Sequence, residues 1–183
     1  MTLAFLEVNR AAGNAKSPVP AHTPGAAADA PVRVADASLL RKIELQGELA
    51  HELNVATRTA GGGWYCPVTP TRALVVGDDD PQVPSGAVSL DVTAVFGALV
   101  IAGPAARETF ARFCALDLRE AKVPVGGFRP GSVARTPGFV LREADERFLV
   151  LFGAAYAPYL WEVVLDAATR LGGGAVGLEA LDA

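Results

Sequence analysis

The chain is poor in the residues that carry most metal and nucleophile chemistry: 183 residues hold two cysteines and two histidines. Cys66 and Cys114 form no Cys-x-x-Cys pair, and His22 and His51 lie far apart, so the spacing excludes a structural zinc site. Cys114 occupies an apolar helix position and reads as a small core residue. Cys66 falls in a turn-rich stretch, and the two are expected to remain unpaired thiols. Blocks of like charge are also missing. The net charge of −4 is built from interspersed acids and bases, which leaves no footprint for nucleic acid or an anionic membrane. No charge-free apolar run approaches the roughly 20 residues of a membrane span. The opening Met-Thr-Leu-Ala-Phe-Leu-Glu has no leading positive charge and meets Glu7 too early for a signal peptide. These absences predict a cytoplasmic protein.

Assembled catalytic patterns are lacking too. Ser17, Ser38, Ser85, Ser89 and Ser132 sit in no Gly-x-Ser-x-Gly elbow. A Cys66–His51 pair is formally available, but nothing in the sequence brings the two together. Neither Gly61-Gly62-Gly63 nor Gly172-Gly173-Gly174 links a strand to a helix with the spacing of a phosphate cradle. Asp78-Asp79-Asp80, and Glu143 with Asp145 and Glu146, fall in turns, where acids serve solubility and local hydrogen bonds. No catalytic residue, metal ligand or cofactor of its own is assigned to the chain.

What is present is half-hydrophobic sequence, enough for one compact unit. Residues 10–36 are rich in Ala, Pro and Gly with no periodic apolar face, so 1–37 reads as an arm or linker. A first half spans 38–80. Ile43 and Leu45 alternate with polar neighbours as in a half-buried strand, Gly47 ends it, a short helix is expected over 48–53, a flexible turn at 61–63 and a buried strand at 73–76. Residues 77–86 are the expected joint. The second half, 87–183, opens with a long strand over 88–102, bent at Gly97, then a helix over 105–116. A hairpin of 132–143 and 147–152 follows, and a helix over 158–171 closes on glycines. Two strand–helix–strand halves with antiparallel sheets indicate an α+β, ferredoxin-like architecture. Leu45-Gln46-Gly47 and Ile101-Ala102-Gly103, each feeding a helix, suggest an internal pseudo-repeat.

Arginine and aromatic residues collect late in the chain, the composition of interface anchors and anion sites. Phe128, Arg129, Arg135, Tyr156, Tyr159 and Trp161 are therefore the interface or anion-binding candidates, with Arg142 nearby. The competing reading makes the arginines solvated strand faces and the aromatics flanks of a core helix.

An ordered set of short motifs carries a resemblance. It includes Leu90-Asp91-Val92-Thr93, Leu99-Val100-Ile101-Ala102-Gly103-Pro104-Ala105-Ala106-Arg107-Glu108, Leu116-Asp117-Leu118 and Val123-Pro124-Val125-Gly126. Arg135-Thr136 and Tyr156-Ala157-Pro158-Tyr159-Leu160-Trp161 continue it, and upstream so do Lys16-Ser17-Pro18, Lys42-Ile43-Glu44-Leu45-Gln46-Gly47 and residues 64–74. In this order they resemble the gamma subunit of heterotetrameric sarcosine oxidase. That family is similar in turn to the folate-binding fold of aminomethyltransferases, the T-protein of glycine cleavage. Gly103-Pro104-Ala105-Ala106 and Gly177-Leu178-Glu179-Ala180-Leu181 look related to it. The resemblance implies an assembled enzyme that demethylates sarcosine oxidatively to glycine. FAD, FMN and NAD would sit in large partner subunits, with tetrahydrofolate accepting the one-carbon unit, and this chain would pack against those subunits without a site of its own. One departure agrees: where aminomethyltransferases carry an essential acid after a Gly-rich turn, this chain reads Arg135-Thr136-Pro137-Gly138-Phe139. Pro137 and Gly138 cannot stabilise charge developing on a folate nitrogen.

Overall fold

The structure, a computed structural model, describes residues 16–181. The longest apolar runs form its centre. β7 (Phe96–Ala102) and β10 (Arg147–Gly153) have almost no polar side chains, as strands buried on both faces require. Six strands make the main sheet, in the order β11 (Gly174–Val176), β1 (Arg33–Asp36), β7, β10, β9 (Thr136–Ala144), β8 (Phe128–Val133). Neighbours run antiparallel except β1 and β11, which are parallel.

One face of this sheet presents Val34, Leu99, Ile101, Val140, Phe148, Val150 and Phe152 to α1 (Ala106–Ala111) and α2 (Ala157–Thr169). α2 begins with Pro158 in its first turn and buries Leu160, Trp161, Val164 and Ala168, the i, i+4 stripe of a helix with one dry face. The other face presents Ala98, Val100, Leu141, Leu149 and Leu151 to a second sheet. That sheet has five strands, in the order β3 (Thr57–Arg58), β4 (Trp64–Thr69), β5 (Arg72–Val76), β2 (Lys42–Gln46), β6 (Val88–Asp91). Trp64, Cys66, Leu74 and Val76 are its inward residues. The architecture is α+β, with mostly antiparallel sheets and helices on one side.

Several sequence expectations are corrected. The stretch 48–53, read as a helix, is an irregular loop whose Leu49 covers Ile43, Leu45 and Val75 on the outer face of the second sheet. Six residues between Gly47 and the turn at Asn54 offered too short a periodic face to separate helix from loop. Among the described residues only the second half therefore carries helices, and the pseudo-repeat keeps its glycines but not its helices.

The long strand 88–102 is two strands in different sheets, with a turn at residues 92–95 rather than a bend at Gly97. The chain enters the second sheet between β1 and β2 and returns to the main sheet at 92–95, not at 77–86, because β6 pairs with β2. Gly97 has a packing role instead, since a Cβ there would stand 2.5 Å from a ring carbon of Phe152.

Residues 16–36 are not a free arm. Val19 enters the helical core, the His22 ring lies 4.1 Å from that of Trp161, and Arg33–Asp36 is an internal strand of the main sheet. The low-complexity composition hid four residues whose burial comes from partners remote in sequence. Residues 1–15 of the expected arm lie outside the described residues.

Candidate functional site

Two places gather polar and aromatic side chains. The first is the β8–β9 hairpin tip. Its two-residue loop, Ala134-Arg135, has φ values of 46° and 64°. Positive φ at both positions is the geometry of the primed hairpin turn, which normally takes Asn-Gly because a Cβ is disfavoured there. The neighbours hold the strained loop in place. Ala134 N–H donates to Phe113 O at 2.8 Å, Tyr159 Oη donates to Ala134 O at 3.1 Å, and Thr136 Oγ1 donates to Val133 O at 2.9 Å. Arg135 is thereby presented to solvent above a groove of about 510 Å³ lined by Arg112, Phe113, Cys114, Tyr159 and Val163. The groove runs on between α1 and α2, where Arg170 pairs with Asp166 at 2.9 Å and Arg112 with Glu108 at 3.3 Å.

The second place is a cleft of about 350 Å³ at one end of the inter-sheet layer. Trp64 Nε1–H on β4 donates to Glu143 on β9 at 2.9 Å, and Arg147 Nε donates to the other carboxylate oxygen at 3.0 Å. Arg58 lies 4.0 Å over the Trp64 ring. Gly61-Gly62-Gly63, expected to be flexible, is a pinned hairpin turn. Gly63 N–H donates to Thr59 Oγ1, Gly62 N–H to Thr59 O, and the buried Asp78 carboxylate packs against Gly61. Hydrogen bonds to Asp78 from the Thr59 side chain, and then from the Asp80 and Gly61 backbone, hold its carboxyl below the usual range. Asp78 is a buried clamp rather than part of a solvated turn.

The six sequence candidates do not converge. Arg135 and Tyr159 meet at the hairpin tip. Tyr156 is exposed on the turn before α2. Phe128 is buried between the sheets, stacked on Phe139 at 5.2 Å, and Trp161 is buried on α2. Arg129 donates to the Lys122, Asn54 and Phe128 carbonyls, tying loops together. Arg142 is fully buried, donating to Val123 O and to Asp145. Glu143, expected in a turn, lies in β9, and its partnership with Trp64 has no signal in the sequence because it joins β4 to β9 across the sheets; Arg58 and Arg147 gather around that pair.

Cys66 and His51 do not meet. Cys66 faces the inter-sheet core, where burial and then the Glu143 charge push its thiol up. His51 sits on the opposite face with the neighbouring residue, Tyr65. Its Nε2–H donates to Thr69 O at 2.8 Å, a partner that can only accept, so Nδ1 accepts from Tyr65 Oη at 2.7 Å. Both cysteines are unpaired and buried. Among the described residues no helix is long and apolar enough to cross a membrane.

Comparisons with protein families and with curated proteins give no match. Solved structures do match. A chain of the heterotetrameric sarcosine oxidase from Corynebacterium sp. U-96, in complex with pyrrole 2-carboxylate, superposes with a TM-score of 0.70 at 16% identity, over 82% of this chain and 90% of that one. The glycine cleavage system aminomethyltransferase T from Bartonella henselae gives 0.63 at 15% identity, over 85% of this chain. The fold is aminomethyltransferase-like. This chain spans only half the length of that aminomethyltransferase. Within the aminomethyltransferase-like fold, the hairpin tip and the inter-sheet cleft lie on different layers, one beside the helices and one between the sheets.

Proposed function

We propose that the chain is a non-catalytic gamma-type subunit of a cytoplasmic, heterotetrameric sarcosine oxidase-like complex. In this reading the complex demethylates sarcosine to glycine, with FAD, FMN and NAD in large partner subunits and the one-carbon unit passed to tetrahydrofolate. The observation that carries the reading is the superposition on a chain of a heterotetrameric sarcosine oxidase, with a TM-score of 0.70 against 0.63 for the aminomethyltransferase. Two local features support it. Cys66 and His51 face opposite sides of a sheet, and the position expected for the transferase acid carries Pro137 and Gly138, with Gly138 buried against Leu151 O. Arg135 and Tyr159, with Tyr156 on the neighbouring turn, are the proposed partner-facing residues.

Co-expression of the tagged full chain with large flavin-bearing oxidase subunits tests this reading. The expected result is a stable yellow complex that contains the chain. Recovery of the flavoprotein without the chain at every salt concentration would sink it. A second reading, a stand-alone folate-binding protein or aminomethyltransferase-like transferase, draws on the cleft beside Trp64 and Glu143. Calorimetric titration of the isolated chain with tetrahydrofolate separates the two, since micromolar binding favours the second.

A further inference from the structure

Residues 121–142 hold four cations, Lys122, Arg129, Arg135 and Arg142, and no aspartate or glutamate. The fold uses two of the arginines internally. Arg129 donates to three carbonyls, and Arg142 is buried against Val123 O and Asp145. Arg135 differs. It is exposed at the hairpin tip, and its side chain has no hydrogen-bond or ion-pair partner among the described residues.

The tip is costly to keep, since both of its residues carry a Cβ at positive φ. Two of the hydrogen bonds that hold it come from Phe113 O, just after α1, and from Tyr159 Oη on α2. Phe113 and Tyr159 also line the groove below Arg135. The anchors of the strained turn are therefore walls of the groove, and Arg135 is fixed relative to it.

Charge selects what the groove takes. Its lining has two charged side chains, Arg112 and Arg135, and no carboxylate, with Phe113 and Val163 as apolar surface. Arg112 pairs with Glu108 at 3.3 Å, but the two side chains are 41% and 64% exposed, and so open a pair yields readily to a better acceptor. Asp166 is held by Arg170 instead. The groove continues into a second hollow of about 520 Å³ that shares Arg112, Phe113 and Val163. Glu162 lines that far hollow, which places an incoming carboxylate at the Arg135 end. An elongated groove with apolar walls fits a chain segment better than a lone ion. A second copy meeting this face about a two-fold axis would set arginine against arginine.

We infer that the groove receives an acidic side chain of a partner protein, its carboxylate between Arg135 and Arg112 and its apolar sequence neighbours on Phe113 and Val163. This rests on the subunit reading's assignment of Arg135 and Tyr159 to the partner-facing surface, and supplies the chemistry they meet.

The test titrates the full chain calorimetrically with a capped ten-residue peptide carrying one glutamate between leucines. Saturable binding is expected. It should weaken at least fivefold when glutamine replaces the peptide's glutamate, and at least fivefold in Arg135→Gln, with thermal melting unchanged. Arg112→Gln should cost a smaller factor. Equal binding of the glutamine peptide, undiminished binding by Arg135→Gln, or no binding at millimolar peptide would overturn the inference. Tighter binding to a Glu7→Gln chain would also overturn it, because Leu6-Glu7-Val8 of the chain itself would then compete for the groove. So would self-association that Arg135→Gln abolishes, the mark of a second copy. Co-expression keeps the two proposals apart. Failure of the wild-type chain to join the flavoprotein counts against the subunit reading, whereas Arg135→Glu joining as well as wild type counts against this inference alone.

Discussion

Trp64 and Glu143 tie the two sheets together: the indole N–H of one sheet donates to a carboxylate of the other at 2.9 Å. The Glu143 side chain is 12% exposed, so each hydrogen bond it accepts counts. Trp64→Phe keeps an aromatic face for Arg58 but leaves one carboxylate oxygen without its donor. Urea unfolding should show a loss of about 1–2 kcal/mol. An unchanged midpoint would mean that water replaces the indole fully.

Acid stability should depend on Glu44. Hydrogen bonds from Arg72 lower its carboxyl pKa most, burial opposes them, and the Gln46 amide adds a further lowering contact. A folded-state value below the unfolded one, near 4.3, means the folded state releases this proton more readily. The stabilisation is present in full above that unfolded value and is lost as pH falls through the lower folded one. In Arg72→Met the dependence of unfolding free energy on pH in this acid range should flatten. At neutral pH the cost should be about 1 kcal/mol, because the guanidinium is 46% exposed and solvent screens the pair.

The Ala134-Arg135 turn stores strain that Asn-Gly would relieve. Replacing the pair by Asn and Gly together should raise stability by about 1 kcal/mol in thermal or urea unfolding. If Arg135 contacts a partner, the same variant should co-purify with oxidase subunits less well than wild type. Greater stability with weaker association separates a functional arginine from an accidental one.

Gly103 holds β1 in place: its φ is 116°, and a Cβ there would stand 2.6 Å from Pro31 O. Gly103→Ala should cost about 2–3 kcal/mol through backbone strain and displacement of the Pro31–Val32 backbone. Val34→Asp, which places a charge in the helical core, should prevent folding at room temperature. Tolerance of both changes would restore the linker reading of this segment.

The central strands were legible because a strand buried on both faces is an unbroken apolar run, and β7 and β10 are such runs. The Pro158 start of α2 was legible for the same kind of local reason. The two missed turns share a cause. Val92-Thr93-Ala94-Val95 and Ala134-Arg135 contain no Gly, Pro or Asn; the first turns on Asp91, whose carboxylate accepts from Thr93 N–H, and on Val95 N–H donating to Val92 O, while the second is held by contacts to Phe113 and Tyr159. Ile43 and Leu45 were correctly read as buried, but they face the 48–53 loop, while Lys42 and Glu44 point to the inter-sheet side. A period of two reports which residues share a face and not what covers it. Of the candidate site, Arg135 and Tyr159 were within reach of composition. Trp64 with Glu143 was not, since no local spacing encodes a contact between sheets.

The parallel pairing of β1 with β11 sets a timetable for folding. Arg33 lies opposite Gly174, so β1 gains its second neighbour only after residue 174 has been synthesised. Until then that side of β1 is open, and closing it demands a loop of most of the chain, which makes the step slow and exposes the nascent protein to mispairing. A ribosome-bound chain should therefore stay sensitive to protease around β1 after the second sheet has become resistant, and a holding chaperone would find its target there.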